Sequence, residues 1–134
     1  MTSAASSSGG GIWRRIALGI VFLWFAVGGI AHFLATDAFV SIVPPWVPMP
    51  RAVVLLSGAL ELLGATGLLV PRTRRAAGLG LCLLTIAVTP ANVHMLQHAG
   101  DYPDVPYWAL VARLPLQLAL LATIAWASGV FRSR

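Results

Sequence analysis

Two charged side chains of this 134-residue chain, Glu61 and Arg113, are set inside long apolar runs. A charge near the centre of a bilayer-spanning helix costs about 2.5–3.5 kcal/mol on insertion scales, so each needs a partner or a task. Each is the obvious counter-ion of the other, because pairing offsets part of the desolvation of both. Two outcomes follow. The pair locks one helix against another, or it lines a polar pocket or proton path. Periodicity supports a pocket. Arg113 and Gln117 are four apart and share a helix face, as do Ser57, Glu61 and Ala65. Gly78, Cys82, Thr85, Thr89, Asn92 and Leu96 follow alternating steps of four and three, one stripe of mostly small and polar groups directed at a bundle interior. His32 lies one turn beyond Gly28, near the end of the first apolar run. The set His32, Glu61, Asn92, Arg113 and Gln117 is therefore the candidate for ligand binding or proton passage, in the outward half of the molecule. No residue type or spacing names a catalytic group, so whether the chain is an enzyme stays open.

Other chemistry is weaker. His94 and His98 have i, i+4 metal-ligand spacing, but two ligands are too few and His98 falls at a helix end. The expectation is no metal site, with this pair the weak candidates and two interfacial histidines the alternative. Cys82 is the only cysteine, which rules out an internal disulfide, a CxxC relay and a thiolate metal site. It is expected to pack as a small hydrophobe. No flavin or nucleotide motif is present.

The elements that must position these residues are read from composition. The chain is 58% hydrophobic and 10% charged, against about 25% charged for soluble domains. Its apolar residues fall into four blocks, giving helices at about 16–34, 52–70, 76–96 and 108–128, each close to the roughly 20 residues a span needs. The expected fold is an all-α, polytopic transmembrane four-helix bundle, one domain over residues 12–131, behind a Ser/Ala/Gly-rich tail (1–11) expected to be disordered. The first run is too long for a signal-peptide core, and no small-x-small cleavage site follows it. Pro44, Pro45, Pro48 and Pro50 forbid continued helix through the first connection (35–51) and favour an extended, stiff segment there. The five-residue connection Pro71–Arg75 makes helices two and three antiparallel neighbours. Gly58, Gly64, Gly67, Gly78 and Gly80 let those two helices approach. Pro90 and Pro115 should bend helices three and four.

Charge sets the orientation. Arg14, Arg15, Arg72, Arg74, Arg75, Arg132 and Arg134 flank one side, and only Arg51 flanks the other, with Asp37, Asp101 and Asp104. This bias puts both termini in the cytoplasm. The net charge of +5 is thus a topology signal, and nucleic acid is not an expected partner. Trp13, Trp46, Trp108 and Trp126 fall at expected interfaces, whereas mid-span Trp24 reads as a packing residue.

Several segments resemble the DoxX/DoxX-like family of small bacterial membrane proteins. They are Gly29-Ile30-Ala31-His32-Phe33, Val43-Pro44-Pro45-Trp46-Val47-Pro48, Ser57-Gly58-Ala59-Leu60-Glu61-Leu62-Leu63-Gly64, Pro90-Ala91-Asn92-Val93-His94-Met95 and Arg113-Leu114-Pro115-Leu116-Gln117. The resemblance covers residues from about 13 to 130 and all four helices. It implies a four-helix bundle in the bacterial cytoplasmic membrane. Some members of that family are subunits of quinone-linked thiosulfate oxidoreductases, others accompany membrane oxidative-stress complexes, and many have no assigned activity. Glu61, Asn92, Arg113 and Gln117 match its polar positions, and His32 its GxxHF pattern.

Three functions compete. One is an accessory of quinone-linked redox chemistry, holding a quinone or similar amphipathic molecule and working with a soluble or membrane redox partner protein. The second is a non-enzymatic scaffold or assembly factor whose polar cluster is structural. The third, a transporter or channel, needs a homo-oligomer, since four helices leave little room for a path.

Overall fold

A computed structural model describes residues 4–132, with side chains from Gly11 onward. The elements are α1 (Ala4–Leu34), α2 (Thr36–Ser41), α3 (Pro50–Leu69), α4 (Arg74–Ala87), α5 (Thr89–Gln97), a 3-10 turn (Ala99–Asp101) and α6 (Tyr107–Ser128). No strand occurs among the described residues. Four stretches are long and apolar enough to cross a bilayer: Gly11–Leu34, Pro50–Leu69, Arg74–Gln97 (α4 with α5) and Tyr107–Ser128. Only 17–28% of each is buried inside the molecule. Leu34, Leu63 and Leu118 are among the many large apolar side chains facing outward. Water does not tolerate that much contiguous apolar surface, whereas hydrocarbon does. The all-α, four-helix transmembrane expectation holds.

α1 begins earlier than expected. Its bounds include Ala4–Gly11, assigned above to a disordered tail, while residues 1–3 of that tail lie outside the described residues. Extending an existing helix adds one hydrogen bond per residue and needs no new nucleus. The other ends follow local chemistry. Pro50 occupies the first turn of α3, where its missing N–H is not needed. Gly129 (φ 76°) terminates α6 in the left-handed conformation, and the Val130 N–H donates to the Ala125 carbonyl at 3.2 Å.

Each span packs on its chain neighbour, and α6 closes the ring against α1, so the order is α1, α3, α4/α5, α6. Among the described residues, the start of the first span, the end of α6 and the α3–α4 turn lie at one end, which carries Arg14, Arg15, Arg72, Arg74, Arg75 and Arg132. The other end carries the two long connections. The core is concentrated towards the arginine end: Leu18, Val21 and Phe25 of α1, Ala65 and Leu68 of α3, Leu81 of α4 and Ile124 and Ala127 of α6. Small residues set the helix separations. A Cβ at Gly64 would stand 2.5 Å from Leu81, and one at Gly67 would stand 2.8 Å from Ala77, so these two glycines do bring α3 against α4. The other three serve elsewhere. Gly58 admits α1, Gly78 admits Ser128 of α6, and Gly80 meets nothing within 4 Å. The Gly78–Leu96 stripe faces α6 through Gly78, Thr85, Thr89 and Asn92.

The prolines differ in effect. Pro90 splits the third span at Val88, because it offers no N–H to the Ile86 carbonyl. Pro115 lies inside α6 without ending it.

Candidate functional site

At the end away from the arginines the ring of helices opens around a cavity of about 520 Å³. All five candidate residues, His32, Glu61, Asn92, Arg113 and Gln117, line it. They reach it from all four spans.

Glu61 and Arg113 do not pair, which corrects the sequence expectation. Among the described residues, Glu61 lies against the His32 ring rather than Arg113, and Arg51 pairs with Asp37. The ring order explains this: α3 and α6 occupy opposite corners, with the cavity between them. Depth separates them too. Glu61 sits near the middle of α3, whereas Arg113 lies in the first third of α6.

Glu61 turns to α1 instead. Gly29 and Gly58 bring α1 and α3 so close that a Cβ at Gly58 would stand 2.6 Å from His32 Cβ. His32 Nδ1 then lies 3.3 Å from Glu61 Oε2, with both side chains close to nine-tenths buried. The same nitrogen is 2.7 Å from the Gly28 carbonyl oxygen. A carbonyl can only accept, so Nδ1 carries the proton and donates it there. Glu61 Oε2 is left buried without a hydrogen-bond partner, the one such side-chain atom among the described residues. An unsatisfied buried oxygen costs about 1–3 kcal/mol, more when charged, which is the usual mark of a site built for something else. The His32 ring stacks on Phe39 of α2 at 4.0 Å between centroids, which fixes its plane.

Arg113 takes a weak acceptor. Its Nη1 donates to Met95 Sδ at 2.8 Å, leaving the other guanidinium N–H groups uncommitted within the side chain's own surroundings. Asn92 and Gln117 form a closed network. Asn92 Nδ2 donates to Gln117 Oε1 at 2.6 Å, and Gln117 Nε2 donates to the Thr85 carbonyl at 2.7 Å and to Thr89 Oγ1. This network bridges the break at Val88, so Gln117 acts as a side-chain splint where Pro90 interrupts the backbone ladder.

The first connection forms the cavity's roof. Ile42, Val43, Pro44, Trp46 and Val47 line it, together with Phe39 of α2. α2 is a helix that the sequence reading treats as connection. Arg51 and Asp37 pair to hold it against the start of α3, and the Tyr102 hydroxyl donates to the Ser41 carbonyl at 2.8 Å. Burial and the neighbouring Asp101 charge raise the Tyr102 pKa. Trp24, expected to be packing, is half exposed and forms part of the cavity wall. Phe39, Met95 and Trp46 are further site residues that spacing did not single out. Phe39 had one faint signal, Asp37 in the first turn of a possible short helix.

His94 and His98 stand ring to ring at 4.2 Å, and His98 Nδ1 donates to the His94 carbonyl at 3.0 Å. They remain apart from the five-residue cluster, although His94 lines a shallow neighbouring groove with Trp46 and Pro90. No group of three or more His, Cys, Asp or Glu side chains suited to a metal occurs among the described residues. Cys82 lies half-buried against the Leu121 carbonyl, 3.9 Å from its Sγ.

Residues 21–130 match the family described as Domain of unknown function (DUF8561), and the chain belongs to it. No curated protein and no solved structure matches the chain.

Proposed function

We propose that this DUF8561 protein holds an amphipathic small molecule of the quinone class in its four-helix cavity, as an accessory of membrane redox chemistry. The observation that carries the reading is the cavity itself: about 520 Å³, walled mainly by apolar side chains, with the unpartnered Glu61 Oε2 among its polar atoms. Ligand pockets typically have this make-up and a volume of about 300–1,000 Å³. Trp24, Phe25, Leu116 and Leu120 suit a ring and an isoprenoid chain. Arg113 suits a carbonyl acceptor, and Glu61 suits a hydroxyl donor, so the two reduction states of a quinone would each find a partner. The DoxX-like segments point the same way and suggest a soluble or membrane redox partner protein. The arginine bias supports both termini inside, and the DoxX-like segments support a bacterial cytoplasmic membrane.

Native mass spectrometry with lipid extraction on the purified chain tests this. A quinone should travel with the wild type, and Glu61→Gln should weaken its binding about tenfold, the loss of one charge-assisted hydrogen bond. Unchanged binding in that variant removes Glu61 from the site.

The second reading, a scaffold or assembly factor, is favoured by the Asn92–Gln117–Thr85–Thr89 network, whose bonds run between helices and splint the third span. It expects partner proteins to co-purify without a small molecule.

A further inference from the structure

The arginine end carries a charge imbalance that the cavity does not explain. The chain has four side-chain carboxylates, Asp37, Glu61, Asp101 and Asp104. Asp37 is paired with Arg51, Glu61 is in mid-span, and the other two are in the α5–α6 connection, so none serves the arginine end.

Three of the arginines there are organised rather than scattered. Arg14 of α1 donates from Nη2 to the Trp126 carbonyl at 2.9 Å, at the C-terminal end of α6. Arg74 of α4 donates from Nε to the Leu68 carbonyl at 2.8 Å, at the end of α3. Arg132 folds back over Gly129. A Cβ placed there would meet Arg132 Cδ at 3.2 Å and Arg14 Nη2 at 3.6 Å. Arg74 and Arg132 are the charges that act on Arg14. Each guanidinium has five donors, so anchoring Arg14 and Arg74 through one N–H leaves most of each fork free. Gathering like charges is unfavourable unless an anion joins them, and planar forks match phosphate oxygens.

The surroundings identify the anion's source. Trp13, Ile16, Trp126 and Phe131 are exposed large apolar side chains flanking this end. A free phosphate has no use for them, whereas acyl chains do.

We propose that Arg14, Arg74 and Arg132 form a headgroup site for an anionic glycerophospholipid, its phosphodiester between the guanidiniums and its chains along Trp126 and Phe131.

The test uses the full chain in a neutral detergent, with native mass spectrometry reading retained lipid after addition of phosphatidylglycerol or phosphatidylcholine. Phosphatidylglycerol should be retained preferentially. Arg132→Gln, which leaves both anchoring bonds intact, should lower that retention about fivefold, while Arg15→Gln, the same charge loss outside the cluster, should change it by less than about twofold. Arg132→Lys should restore part of the loss. Equal retention of the two lipids, or equal losses in Arg132→Gln and Arg15→Gln, would overturn the site. Complete displacement by equimolar inorganic phosphate would also overturn it, by making the ligand a free anion.

Discussion

Replacing Gly58 by alanine is a sharp probe of how the cavity is built. The added Cβ would stand 2.6 Å from His32 Cβ, 3.1 Å from the Gly29 carbonyl oxygen and 3.1 Å from Phe33. Carbon–carbon contact is comfortable at about 3.5–4.0 Å, so α1 and α3 must part by about 1 Å. Two of the three obstructing groups are a backbone carbonyl and the first atom of a side chain, neither of which can swing aside. Overpacking of this kind costs about 1–3 kcal/mol. The same displacement separates His32 from Glu61, now 3.3 Å apart. Gly80→Ala is the matched control, because nothing lies within 4 Å of its new Cβ. Equilibrium unfolding of the purified protein in mixed detergent should show Gly58→Ala destabilised by about 1–3 kcal/mol and Gly80→Ala not destabilised. Two variants that agree within about 0.5 kcal/mol would refute the close α1–α3 approach, and with it the placement of His32 beside Glu61.

Gln117→Leu removes three interhelical hydrogen bonds, each worth about 0.6 kcal/mol in a membrane bundle, so unfolding should register a loss of about 2 kcal/mol; no loss would mean the splint at Val88 is idle. Asp37→Asn breaks an exposed ion pair and should change stability by no more than about 1 kcal/mol in the same assay. For topology, Asp104→Cys should react with a membrane-impermeant maleimide in intact cells, and Arg72→Cys should react only after permeabilisation. The reverse pattern would invert the orientation drawn from the arginines.

Much of the scaffold was legible because hydrocarbon imposes a simple rule: spans must be long, apolar and capped by charge or proline. The five cavity residues were legible for the same reason, as the polar groups that lipid excludes. Their pairing was not. Spacing says which residues share a face of one helix, but which helices stand adjacent depends on the ring order, and that is decided by close approaches such as Gly58 to His32 and Gly78 to Ser128. Glu61 and Arg113 are complementary in charge yet belong to diagonal helices. Phe39 was missed because a six-residue helix between a span and a proline-rich loop leaves too short a period to detect.

The break at Val88 gives the third span the mechanics of a post with an arm. α4 is the post, seated by Gly64 against Leu81 and by Gly78 against Ser128. α5 is the arm, and past the break its keys into α6 are Gln117, reached by Thr89 and Asn92, and Arg113, reached by Met95. Swinging the arm would enlarge the cavity without disturbing the core cluster around Leu81 and Ile124, so the work of opening is set by the buried Met95 and a handful of side-chain hydrogen bonds. A bulky guest could therefore be admitted sideways from the bilayer at a cost far below that of unfolding the bundle.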